Sequence, residues 1–234
     1  MKKILLVSGL FAGLFTGAQD CKNFLFMTNN AEVQMTVYDK KGKESGIQTW
    51  TITEVKKDGS GYHSTINSSF KDEKGKEAAA GKGLYKCTGG ILQADMKMSM
   101  PQQQMEAYKD AAVKFEPAYL EYPPKMNEGQ SLADADFKMD VEMKGGMTTN
   151  IGFKQTNRKV GSKESVTSPA GTWDAYIITY DAQLSTRMAG INIPINFNFT
   201  GKEWFVPNVG IVKTETYAKG GKLLGSSLIT SIKK

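Results

Sequence analysis

Apolar and polar residues alternate with a period of two along most of this chain. Val33, Met35 and Val37 alternate with Glu32, Gln34 and Thr36, and Phe137, Met139, Val141 and Met143 alternate with Asp136, Lys138, Asp140 and Glu142. The longest run places Ile191, Ile193, Ile195, Phe197 and Phe199 between Asn192, Pro194, Asn196 and Asn198. Successive side chains of a strand point to opposite faces, so such runs predict strands with one buried wall. The stretches Gln48 to Val55 and Tyr62 to Phe70 are further strand candidates. Pro194 has no N–H for a ladder bond, which predicts an edge strand or a bulge at that point.

Between these runs lies turn chemistry. Lys40-Lys41-Gly42-Lys43, Lys57-Asp58-Gly59-Ser60-Gly61, Gly145-Gly146 and Lys219-Gly220-Gly221-Lys222 each place glycine where a chain reverses. Short connections join antiparallel neighbours, whereas parallel strands need long crossovers. One helix is predicted over Gln102 to Lys114, a stretch free of Gly and Pro that follows Pro101. Its Met105, Tyr108, Ala112 and Phe115 recur at helical spacing. The expected fold is mainly β: an antiparallel β sandwich or half-open barrel of about ten strands, with one short helix covering an end. Residues 19–234 are expected to form a single β-rich domain, with an internal hinge possible near 116–131, where Pro117, Pro123 and Pro124 cluster.

Residues 1–18 (MKKILLVSGLFAGLFTGA) change the picture from fold to location. Lys2 and Lys3 precede an uncharged apolar stretch, Ile4 to Phe15, and Thr16-Gly17-Ala18 supplies small residues before a cleavage point. This is the pattern of a secretory signal cut near Ala18, and it is shorter than the roughly 20 residues of a spanning helix. The mature protein is expected outside the cytoplasm, in the periplasm or the medium. Ser231 to Lys234 shows no surface-sorting tail, which favours the periplasm. A lipid anchor on Cys21 is not expected, because Gln19 and Asp20 stand before it in place of a small residue. In an oxidising compartment the two cysteines, Cys21 and Cys87, are expected to pair as a disulfide.

The chain of 234 residues carries a formal charge of +6. Without Lys2 and Lys3, 28 basic side chains face 24 acidic ones, interspersed, and Arg158 and Arg187 are the only arginines. No basic stripe for nucleic acid is present, so no nucleic-acid partner and no transmembrane span are expected.

Catalytic chemistry is sparse. His63 is the sole histidine, with no evident orienting partner, and is read as a surface or edge side chain. No G-x-S-x-G, H-E-x-x-H, Walker A or EF-hand pattern occurs. No catalytic residue, cofactor or metal is assigned. The alternating thioethers Met96, Met98 and Met100 are the one candidate for a soft ligand such as monovalent copper, against the plainer reading of a methionine-lined core. Met35, Phe137, Met139, Met143, Ile193 and Phe197 all face the predicted interior, where they either fill a core or line an apolar cavity.

Two blocks near the C-terminus carry a resemblance. Glu164 to Trp173 (ESVTSPAGTW) with Tyr176 to Tyr180 resembles a strand–turn–strand of the form E-x-V-x-T-P-A-G-T-F…K-I-x-Y, and Glu203 to Tyr217 (EWFVPNVGIVKTETY) resembles E-W-Y-x-P-G-V-G-L-V-K-x-E-x-Y. Cys21, Tyr38 to Lys43, and Tyr122-Pro123 through Leu132 fit the same pattern. The chain departs from it at Ser168, in place of Thr, and at Asn208, in place of Gly, both residues that suit turns. These blocks resemble the TapB-like family, exported bacterial β-rich proteins to which no activity attaches. The resemblance implies an exported β protein and transfers no site.

Together these features imply a non-enzymatic exported protein that binds through sheet edges or an apolar mouth, with a protein or an apolar ligand as partner. A carrier of lipid or another apolar small molecule in the cell envelope is the alternative, and a hydrolase with a dispersed site is the third.

Overall fold

In a computed structural model of the chain, residues 21–100, 111–142, 148–188 and 193–234 are described. They contain thirteen strands in one antiparallel sheet. In chain order these are β1 (Glu32–Asp39), β2 (Glu44–Asp58), β3 (Gly61–Asp72), β4 (Glu77–Thr88), β5 (Ile91–Asp95), β6 (Ala112–Glu116) and β7 (Tyr119–Tyr122). There follow β8 (Ala135–Glu142), β9 (Thr148–Ser168), β10 (Gly171–Met188), β11 (Ile195–Val206), β12 (Gly210–Ala218) and β13 (Leu223–Lys233). One of the alternating runs becomes the cleanest strand: in β8, Ala135, Phe137, Met139 and Val141 are buried while the residues between them are exposed. Strands beyond the ten expected come largely from β5, β6 and β7, which are only four or five residues long and too short to show a period.

The sheet order is β6-β8-β9-β10-β11-β12-β13-β1-β2-β3-β4-β5-β7. Its two edges, β6 and β7, are consecutive in the chain and separated only by Pro117 and Ala118. Three Cα steps span at most about 11 Å, and in this antiparallel order β6 and β7 run the same way, so the two edges follow one another end to end as one stretch that passes from β8 to β5. The sheet therefore curls into a half-open barrel. Contacts beside this passage agree: the Met96 N–H donates to the Ala118 carbonyl at 2.8 Å, one step beyond the β5–β7 ladder, and Lys97 Nζ sits 4.4 Å from the Phe115 ring centre of β6.

Side chains fill the interior. One core cluster joins Leu92, Leu120 and Tyr122 to Phe137, Phe153, Ile178 and Phe205; a second packs Leu25 and Phe26 on Val33, Ile52, Ile66, Trp204 and Ile229. Cys21 and Cys87 form a disulfide, both buried, 66 residues apart in sequence. It pins the short 3-10 turn Cys21–Asn23 to the end of β4.

Several sequence expectations are corrected. Residues 102–110 of the predicted helix lie outside the described residues, and 112–114 are strand, with Val113 opposite Val141 in β8. Val113 and Phe115 suit a pleated surface, and the free ladder of β8 outweighs helix propensity. Met96, Met98 and Met100 do not share a strand face, because Met96–Ser99 is a 3-10 turn. Asp95 caps that turn, its Oδ1 accepting the Lys97 N–H at 3.0 Å. Pro194 does not bulge a strand: β11 begins just after it, and its residues 195–198, paired with β10 but not with β12, form a local edge of a strand that lies mid-sheet further on.

Candidate functional site

A buried polar cluster sits within the first core, contributed by three strands. On β9 the inward side alternates through Phe153 and Gln155, which would next bring Asn157 inward. The pairing of β9 with β10 slips here: Thr156 faces Asp181 and Lys159 faces Thr179, so Asn157 and Arg158 together oppose Tyr180. Asn157 takes the left-handed conformation (φ 54°), and its side chain donates to Asp181 on the outside at 2.7 Å. This β-bulge reverses the alternation and aims Arg158 inward, where it is 1 % exposed. Glu203, 2 % exposed, comes from β11, on the same face as its cross-strand neighbour Ile178. Tyr122 of β7 stacks on Phe205, ring centres 4.5 Å apart, and its hydroxyl donates to Glu203 Oε2 at 2.8 Å.

The Arg158 guanidinium lies 5.0 Å from the Tyr122 ring centre, and its Nη1 donates to the carbonyls of Ala133 (3.0 Å) and Glu121 (3.3 Å). Arg158 Nε and Nη2, Glu203 Oε1 and Gln155 Oε1 are buried without a hydrogen-bond partner. Burial pushes the Glu203 carboxyl above its ordinary range, while the Arg158 charge and the Tyr122 hydroxyl pull it part of the way back. Burial likewise raises the phenols of Tyr122, Tyr85 and Tyr180, with the Glu203 charge adding to it. The cluster combines a carboxyl, a guanidinium and a phenol, and two surface clefts, one lined by Tyr180 and Asp181 and one by Gln183 and Asn198, are not lined by Arg158, Glu203 or Tyr122. Its hydrogen bonds tie β7, β9 and β11 together inside the barrel.

The residues singled out in the sequence are placed elsewhere. Met35, Phe137 and Met139 are buried, at 2 % exposure or less, and Met143 lies outside the described residues. Ile193 and Phe197, expected to face the interior, are instead 77 % and 58 % exposed. The reason is length: β12 ends at Ala218, opposite Phe199, while β10 runs on to Met188. The six residues of β10 beyond Ala182, the partner of Phe199, project about 20 Å past that level, at roughly 3.3 Å each. Met96 and Met100 join the first core cluster and Met98 the second, so the three thioethers do not converge. His63 pairs across the sheet with Lys56, its Nδ1 3.8 Å from Asp58 Oδ2. Among the described residues no group of three or more His, Cys, Asp or Glu side chains is arranged to hold a metal ion.

The two ends of the barrel differ. At the disulfide end the connections 59–60, 89–90, 169–170 and 207–209 contain no charged residue. At the opposite rim three adjacent hairpins carry lysines: Lys40, Lys41 and Lys43 between β1 and β2, Lys74 and Lys76 between β3 and β4, and Lys219 and Lys222 between β12 and β13. The three tips share one backbone pattern. Asp39, Asp72 and Ala218 each donate their N–H to the carbonyl four residues on, at Lys43, Lys76 and Lys222, and accept from Gly42, Gly75 and Gly221. In the first two, the Asp carboxylate also accepts the N–H groups of the second and fourth residues after it. Those hydrogen bonds hold the Asp39 carboxyl below its usual range. The projecting apolar end of β10 and β11 stands on this same rim, next to the β12–β13 tip.

Comparison with known proteins gives a family and a fold. A family described as DUF3108-like matches residues 28–229. No curated protein matches the sequence. A candidate lipoprotein from Parabacteroides distasonis superposes with a TM-score of 0.73 at 23 % identity, over 92 % of this chain and 100 % of that one. A candidate exported protein with a YmcC-like fold, from Bacteroides fragilis, gives 0.71 at 21 % identity, over 90 % and 99 %. At these identities the likeness is one of fold.

Proposed function

The chain belongs to the DUF3108-like family, and we propose that it acts as an exported, non-enzymatic binding module of the cell envelope. One observation carries this reading: Met188, Ile193, Ile195 and Phe197 are all about half exposed or more, on a hairpin that outruns its neighbour. Large apolar side chains gathered at one protruding place mark an interaction surface. The leader-like residues 1–18, with cleavage near Ala18, support export, as do the names of the two fold neighbours. Within the family, the blocks at Glu164 to Tyr180 and Glu203 to Tyr217 keep the TapB-like affiliation as our reading. Cys21 is bonded to Cys87 and offers no thiol for acylation, which counts against a lipid anchor at that residue.

The side chains packed through the interior count against carriage of an apolar molecule in a central cavity. We read the His63–Asp58 contact, with the Asp58 side chain 77 % exposed, as a surface pair rather than the base of a hydrolase. The test is cell fractionation. Wild-type protein should sediment with the envelope, and the double variant I195S/F197S should move to the soluble fraction with an unchanged thermal midpoint. A variant that stays with the envelope, or a wild type found only in the soluble fraction, rejects the proposal.

A further inference from the structure

We infer that the lysine-bearing rim docks on the surface of an anionic phospholipid bilayer, with Met188, Ile193, Ile195 and Phe197 dipping into it; this rests on the binding role given to those residues above. Two independent features meet on one rim. The first is apolar: Ile193, Ile195, Phe197 and Met188 project, and described residues 193–198 carry no charge. Leu224, 47 % exposed, lies at the start of β13, two strands from β11 on the same rim.

The second feature is cationic. One turn geometry is used three times, and each copy ends on a lysine, Lys43, Lys76 or Lys222. The tips lie on consecutive hairpins in the order β12-β13-β1-β2-β3-β4, so neighbouring tips are about 10 Å apart, two strand spacings. Glu73 is the one acid among the connecting residues of these tips, and it is engaged by Lys43. Glu44 and Glu77 follow at the starts of β2 and β4, and Asp39 and Asp72 end β1 and β3, so seven lysines face five acids and leave the rim basic on balance. The four uncharged turns at the opposite end, where Lys22 lies beside the disulfide, serve as the internal contrast.

A protein partner would need shaped pockets around its anchor residues. A bilayer asks only for apolar side chains that reach below the headgroups and cations at the level of the phosphates. A hairpin that overshoots a row of lysines by some 20 Å at most supplies both levels.

The experiment is vesicle sedimentation with the mature, disulfide-intact protein. Vesicles of phosphatidylglycerol and phosphatidylcholine in a one-to-three ratio should bind at least tenfold more protein than pure phosphatidylcholine, and the difference should collapse in high salt. The charge variant K41E/K74E/K222E, altered only at exposed turn residues, should lose that tenfold preference. F197S should weaken binding to anionic vesicles at low salt while leaving its salt dependence. Equal binding to both vesicle types, no binding to either, or wild-type binding by the charge variant overturns the inference. If vesicles fail to bind while I195S/F197S still releases the protein from the envelope in cells, the binding role stands and only the lipid partner falls.

Discussion

The Tyr122 hydroxyl donates a 2.8 Å hydrogen bond to Glu203 across 81 positions of the chain, joining an edge strand to the middle of the sheet inside the barrel. Glu203 is otherwise poorly served, since its second oxygen is buried without a partner. Its folded-state pKa is raised above 4.5, so the folded protein holds this proton more tightly than the unfolded chain does. The resulting stabilisation is complete below about pH 4.5 and is lost as pH rises through the folded value. Urea midpoints should therefore show E203Q gaining on wild type between about pH 4 and about pH 7. A constant difference between the two proteins across that range would contradict the assignment.

Loss of the donor is a different experiment. Y122F keeps the stacking on Phe205 but leaves both Glu203 oxygens unpaired. It should cost about 1–3 kcal/mol at neutral pH, and much less in the E203Q background if the two side chains act as one unit. Equal losses in both backgrounds would show that the hydroxyl matters for some other reason.

Gly201 on β11 faces Tyr180 of β10, and a Cβ at that position would run into the Tyr180 ring. The aromatic ring lies over the space that the glycine leaves. G201A should destabilise by about 1–3 kcal/mol. The double variant G201A/Y180A should lose less than the two single losses added together. Strict additivity in chemical denaturation would show that the contact is not what constrains the glycine.

The disulfide closes a long loop, residues 21 to 87. Loop-entropy reasoning gives it a contribution of about 4 kcal/mol. The C21S/C87S variant should lose that amount in urea, and reductant should lower the thermal midpoint of wild type only. A reductant effect of equal size on the variant would point away from this bond.

Processing can be read from mass alone. Protein recovered after export should begin at Gln19, lacking the first eighteen residues. An intact mass that retains Lys2 and Lys3 would show that the leader is not removed.

Much of the architecture was legible because strand period is a local property. Residues 135–142 needed only their own alternation to declare a buried face. The interior cluster was hidden because Arg158 lies on the outward phase of that alternation until the bulge at Asn157 shifts it by one. Nothing local marks Asn157 as left-handed, although a rare arginine inside a strand, and Glu203 followed by Trp, Phe and Val, are faint signals. The Met96 to Met100 alternation misled because a single aspartate, Asp95, diverts the chain into a 3-10 turn. The glycine turns were each visible, but their gathering on one rim follows from strand order, which is not a local property.

The place of β13 bears on how such a chain is made. The last strand inserts between β12 and β1, so Glu32 meets Lys233 across 201 positions. Before those closing residues emerge, the early and late halves exist as two separate arms with no hydrogen-bonded ladder between them. Closure of the ladder must wait for β13, and contacts this distant in sequence are slow to find one another. Under the export proposed above, such delay would keep the two arms open while the chain crosses: β13 is the keystone that joins them.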